Sequence, residues 1–150
     1  MSLTLLAPPP EPLDYTGTSL TTEQKRLIRE TFARIEPAAD LVARLFYLKS
    51  IDLNPSLRAV FEAPTRAQRR KFMGALKIAV ISLDRLQGLQ PILKLLGTRQ
   101  RQDGIKPNHY ATFRRAWVWT LEQSLDARFS HDAKAAWESL LSQMTRATAS

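Results

Sequence analysis

Apolar residues in this chain fall at i, i+3, i+4 and i+7 over most of its length, the spacing that lines one face of an α-helix. Thr21, followed three residues later by Gln24, forms a capping box, and Ile28, Phe32 and Ile35 then share a face of a helix reaching Ile35. A second helix is predicted from about Ala38 to Ser50, burying Val42, Leu45, Phe46 and the stem of Lys49. After a short turn at Pro55, a longer helix is predicted over 65–86 with Phe72, Ala75, Ala79 and Leu83 inward. Another covers 89–101 and stops near Gly104. Pro107 opens a helix striped by Tyr110, Phe113, Trp117 and Leu121. Ser130 caps the last, along which Ala133, Trp137, Leu140 and Met144 align.

Strand alternation, hairpin signals and internal repeats are missing, so the fold class is all-α with about seven helical pieces. Their unequal lengths and the irregular 55–64 connection favour orthogonal packing over an up-down bundle. Pro8, Pro9, Pro10 and Pro12 set residues 1–18 apart as an extended arm of polyproline character, leaving 19–150 as one domain. The prolines at 37, 55, 64, 91 and 107 each precede or open a helical pattern, where the missing N–H does least harm.

A 150-residue chain with 44% apolar and 24% charged residues has the composition of a single soluble domain with its own core. The absence of cysteine excludes a disulfide framework, a thiolate metal site and a cysteine nucleophile, and fits a cytoplasmic location. The longest apolar region, Ala75 to Leu83, contains Lys77 and is too short to cross a bilayer. Residues Met1 to Ala7 lack a basic start and a proper apolar segment, so no signal peptide is expected.

The net charge of +8 is concentrated in two blocks. One holds Arg66, Arg69, Arg70, Lys71 and Lys77; the other holds Lys94, Arg99, Arg101, Lys106, Arg114 and Arg115 against Asp103 alone. Together they suggest one electropositive face, suited to an acidic protein partner or an anionic ligand. Nothing resembles a nucleic-acid-binding module, so the charge alone does not point to DNA or RNA.

Several short runs occur in a telling order: Leu20-Thr21-Thr22-Glu23-Gln24, Leu45-Phe46-Tyr47, Asn54 through Phe61, Gln68-Arg69-Arg70-Lys71-Phe72-Met73, and Trp119 through Gln123. Between the last two lie Leu96-Gly97 and Gly104-Ile105-Lys106-Pro107-Asn108-His109-Tyr110. At this spacing the chain resembles the globins over roughly residues 20–145, in particular bacterial single-domain and flavohaemoglobin-like globins. The resemblance implies a globin fold. It also implies that Phe61 wedges against a haem ring, Gln68 and Tyr47 lie on the distal side, and Lys71 meets a propionate. Phe72 then lines the distal wall, and Leu96 and Ile105 the proximal wall.

In those globins the residue matching Gln100 is the histidine that bonds haem iron. Imidazole offers a basic nitrogen lone pair, whereas a glutamine offers a neutral, weakly basic amide oxygen and a nitrogen whose lone pair is tied up in resonance. Both halves of the motif are correctly spaced, so a one-turn slip cannot bring another histidine into place. The only histidines are His109, expected at the surface where a helix begins, and His131, just after Ser130.

Blander roles exist for the same residues. Packing alone accounts for Phe61, Phe72, Leu96 and Ile105. Tyr47 and Gln68 can hydrogen-bond to each other, and Lys71 can be a solvated surface charge. The expectation is a globin-like binding or sensing protein that has lost the proximal ligand, with no cofactor expected and a small hydrophobic or anionic pocket ligand. Haem is the alternative, with Tyr47 as an unusual phenolate ligand for an iron that binds oxygen or another diatomic gas. A second alternative is an adaptor whose basic surface holds an acidic partner. Hydrolase and nucleotide-binding constellations are missing, so no enzymatic activity is expected.

Overall fold

The computed structural model describes residues 19–61 and 64–149. The proline-rich arm read from the sequence lies outside the described residues. Six α-helices follow one another: α1 (Thr22–Ile35), α2 (Ala39–Leu53), α3 (Arg66–Ile81), α4 (Gln90–Gln102), α5 (His109–Leu125) and α6 (His131–Ala149). Short 3-10 segments join them, including Pro55–Ala59 and Leu83–Leu89. No helix among the described residues is long and apolar enough to cross a membrane.

Local chemistry sets the helix starts. The Thr21 hydroxyl accepts from the Gln24 amide while the Gln24 side chain accepts from the Thr21 amide, both at 3.0 Å. Ser130 caps α6 by accepting from the Ala133 amide at 3.0 Å. The helix predicted over 65–86 stops earlier, at Ile81, and Arg85 leaves helical geometry (φ −145°, ψ 46°). Beside that break Asp84 is held by Lys25 at 3.0 Å and Arg29 at 3.1 Å, ion pairs that tie the corner to α1. Of the residues expected inward, Ala79 and Leu83 are buried and Phe72 packs against the core, while Ala75 is exposed and Met73, Leu76 and Val80 are buried beside them.

The core forms where α5 lies between α2 and α6, with α1 closing against α6. Trp117 and Trp137 are its largest buried side chains, their rings 5.8 Å apart and nearly edge-on. The Trp137 indole donates to the Thr31 hydroxyl at 2.8 Å, which in turn donates to the Leu27 carbonyl. Trp117 Nε1 is buried without a hydrogen-bond partner. The Trp117 ring sits among those of Phe46, Phe72 and Trp137, an apolar setting.

α4 packs against α6, burying Leu93 and Gly97. Gly97 is buried where α4 crosses the end of α6, and a Cβ there would run into the Thr148 carbonyl oxygen. The close crossing leaves the other sides of α4 free. Ile92 and Leu95 are exposed, and α3 and α4 barely touch.

Candidate functional site

The end of α4 and the start of α5 form a corner built on one glycine. Gly104 has φ of +96°, a conformation that side chains resist. The Ile105 amide donates to the Gln100 carbonyl at 2.9 Å and the Gly104 amide to the Arg101 carbonyl at 3.2 Å, closing the helix as a Schellman motif. The chain then doubles back and Tyr110, in the first turn of α5, meets α4. Its hydroxyl donates to Oε1 of Gln100 at 2.7 Å. Tyr110 is buried and Gln100 half-buried. Burial pushes the Tyr110 phenol above its ordinary value, with nearby Arg101 acting in the opposite sense, so the hydroxyl keeps its proton and remains a donor.

His109 is not the surface residue the sequence suggested. It is buried, and its Nδ1 accepts from the Lys106 amide at 3.0 Å, closing the same corner. Burial, and then the neighbouring Lys106 charge, hold its pKa below the ordinary 6.5.

From Tyr110 a run of ring contacts leads to the other wall. Tyr110 lies 6.1 Å from Phe113, Phe113 lies 5.6 Å from Phe61, and Phe61 meets Tyr47 edge-on at 4.9 Å. Phe72 stacks on Phe46 at 4.1 Å and stands edge-on to Trp117 at 5.6 Å. Ile105 is buried as expected. Burial raises the Tyr47 pKa above 10.0, with Arg69 pulling weakly the other way, so its phenol stays protonated.

Three site expectations meet different surroundings. Gln68 is exposed, and its side chain is spent on α3's capping box: Oε1 accepts from the Thr65 amide at 2.8 Å, and Thr65 Oγ1 accepts from the Gln68 amide at 3.1 Å. It is therefore not paired with Tyr47. The helix starts so close to Gln68 that the free N–H groups of its first turn claim the amide. Leu96 is 37% exposed rather than packed into a wall. Lys71 is a solvated charge on α3.

The basic blocks also divide. Arg69 is half-buried, bonded to Asp40 at 2.7 Å and to the Pro64 carbonyl at 2.8 Å, and it holds the Asp40 carboxyl below its ordinary range. Lys77 pairs with Glu36 at 2.6 Å, and Arg99 with Asp103 at 3.9 Å. Arg114 and Arg115 open instead onto a groove between α2, α5 and α6. The cations are therefore spread over more than one face.

Tyr110 is the site residue that sequence reasoning missed as a partner. Its signal was present: a half-buried amide needs a hydrogen-bond partner, and a tyrosine one tight corner away can supply it.

Residues 45–148 match the globin family, and the chain belongs to that family. It is 24% identical over 115 residues to a flavohemoprotein of Bacillus subtilis, covering 75% of this chain and 29% of that protein. It is 26% identical over 94 residues to a flavohemoprotein of Rhodopirellula baltica, covering 61% of this chain and 23% of that protein. The chain thus spans under a third of the length of these relatives. Among solved structures it is similar in fold to a hexacoordinated heme protein from an anhydrobiotic tardigrade. There the TM-score is 0.78 at 15% identity, covering 91% of this chain and 97% of the other.

Haem is the group that a globin pocket implies, and the residues fit it only in part. The rings of Phe61 and Phe72 and the side chains of Leu96 and Ile105 suit a flat apolar group. The donors do not suit its iron. Gln100 presents an amide whose oxygen is tied to Tyr110, burial favours the protonated Tyr47 phenol, and the neutral His109 ring, whose Nδ1 accepts from the Lys106 amide, carries its proton on Nε2.

Proposed function

We propose that this chain is a globin-fold binding or sensing domain whose pocket does not hold haem through the proximal helix. The observation that carries the reading is the Tyr110–Gln100 hydrogen bond, which gives the iron-facing position a structural partner. A glutamine left to ligate weakly would gain nothing from a buried phenol that competes for the same oxygen. The pocket ligand in this reading is a small apolar or anionic molecule lying along the aromatic wall from Tyr47 to Phe113. The role is binding rather than catalysis, and the expected setting is the cytoplasm.

Expression with ample haem supply, gel filtration and a visible spectrum test it. The expected result is a protein without a stoichiometric Soret band. A full Soret band that survives gel filtration and shifts with carbon monoxide overturns the reading.

The names of the relatives favour a second reading, in which haem binds through an unusual ligand. Tyr47 is the residue to examine, since tyrosinate ligates haem elsewhere. Against it stands the raised pKa of Tyr47, which costs energy to deprotonate before iron binds. If haem is taken up, Tyr47→Phe separates the cases. Loss of a phenolate charge-transfer band supports this ligand, and an unchanged spectrum removes it.

A further inference from the structure

The groove between α2, α5 and α6 lies apart from the ring contacts that run from Tyr110 to Tyr47, and has a volume of about 560 Å³. That volume falls within the range of small-ligand and peptide sites. Its floor is apolar, formed by Leu53, Val118 and Trp119, and Lys49 Nζ stands 4.7 Å over the Trp119 ring. Two of its cations are already satisfied: Lys49 pairs with Asp52 and Lys134 with Glu122, each at 3.3 Å. Arg114 and Arg115 have no carboxylate partner among the described residues.

We propose that this groove receives the acidic segment Glu11–Asp14 of the same chain. The residues before Ser19 contain Glu11 and Asp14 and neither lysine nor arginine, so that stretch is wholly acidic on a chain of net charge +8. Two guanidinium groups without carboxylates face the groove, and Arg–carboxylate pairs are among the stronger and more directional ion pairs. Leu13 and Tyr15 interleave with the acids and supply the apolar complement to Leu53, Val118 and Trp119. Glu138, on the α6 lip, repels such a segment and places it against the α2 and α5 side.

Tethering makes a weak contact count, because a segment of the same chain meets the groove at an effective concentration set by the intervening residues. A chain spans at most about 3.5 Å per residue, so Asp14 lies within about 17 Å of Ser19 and Glu11 within about 28 Å. The span sets what must be tested: whether the groove is filled by its own chain or by a second copy.

The test is limited chymotrypsin cleavage after Leu13 and Tyr15 in the full-length protein, followed by mass spectrometry. Cleavage of the wild type is expected to be slow and independent of protein concentration. E11Q/D14N and R114Q/R115Q should each accelerate it about fivefold to tenfold, and high salt should do the same. Reversing both partners, E11R/D14R with R114E/R115E, should restore protection, which a misfolded variant cannot do. Equal cleavage rates in all these proteins overturn the proposal. Protection that strengthens with protein concentration also overturns it, by assigning the groove to another copy.

Discussion

The hydroxyl of Tyr110 donates to the side-chain oxygen of Gln100 at 2.7 Å across the corner between α4 and α5. One hydrogen bond thus joins the end of α4 to the first turn of the next helix. Its removal has a stated cost. Tyr110→Phe leaves the half-buried amide without its donor and should destabilise the fold by about 1 kcal/mol, measured by urea unfolding. An unchanged midpoint would show that the pair contributes nothing to stability and that the amide is free for another use.

Gly97 sets how closely α4 approaches α6. Gly97→Ala places a methyl group against the Thr148 carbonyl, and the helices must separate. The expected loss is about 1–3 kcal/mol, the usual cost of overpacking, in spite of alanine's better helix propensity. Chemical denaturation measures it, and a stabilised variant would mean that the crossing is looser than described.

Gly104 is constrained by backbone geometry rather than by space. Its left-handed conformation costs another residue about 1–2 kcal/mol, so Gly104→Ala should lower stability by that amount and loosen the Tyr110–Gln100 corner. Amide hydrogen exchange at Ile105, whose N–H closes the corner on the Gln100 carbonyl, should accelerate alongside. Unaltered exchange there would contradict the role given to this turn.

The pH dependence follows from His109. Its folded-state pKa lies below the ordinary 6.5, so the unfolded chain takes up this proton at higher pH than the folded one does. Its contribution to stability is therefore fully present above 6.5 and is lost as pH falls from there through the folded-state value. His109→Gln should flatten stability over that interval while leaving the acid-range loss from Asp40 and Asp84, whose pKa values are also lowered. Parallel wild-type and variant curves below pH 6.5 would count against this assignment.

Much of the fold is legible in the sequence, and for physical reasons. Capping at Thr21 and Ser130, and the stripes through Ile28–Phe32 and Trp117–Leu121, are local signals that tertiary packing reinforces. The end of α3 was not legible. Helical periodicity continues through Leu83, while the break falls beside Asp84, whose ion pairs with Lys25 and Arg29 come from a distant helix that no local pattern reveals. The candidate site divides in the same way. Phe61, Phe72 and Ile105 were legible as packed apolar positions, and all three are in packed surroundings. Gln68 was not so legible, because its fate turns on which residue starts α3: two residues after Arg66 opens the helix, the amide is worth more as a cap than as a pocket lining. His109 was misjudged because a motif shows a histidine's place along the chain and not the amide that its ring accepts from.

Haemin titration of the purified wild type beside Gln100→His, followed at the Soret band, tests the central claim most directly. Weak, non-stoichiometric uptake is expected of the wild type. Gln100→His should gain at least about a hundredfold in affinity, the scale of about 3 kcal/mol expected when a nitrogen ligand replaces a tethered amide. Equal, tight, one-to-one binding by both proteins would contradict it.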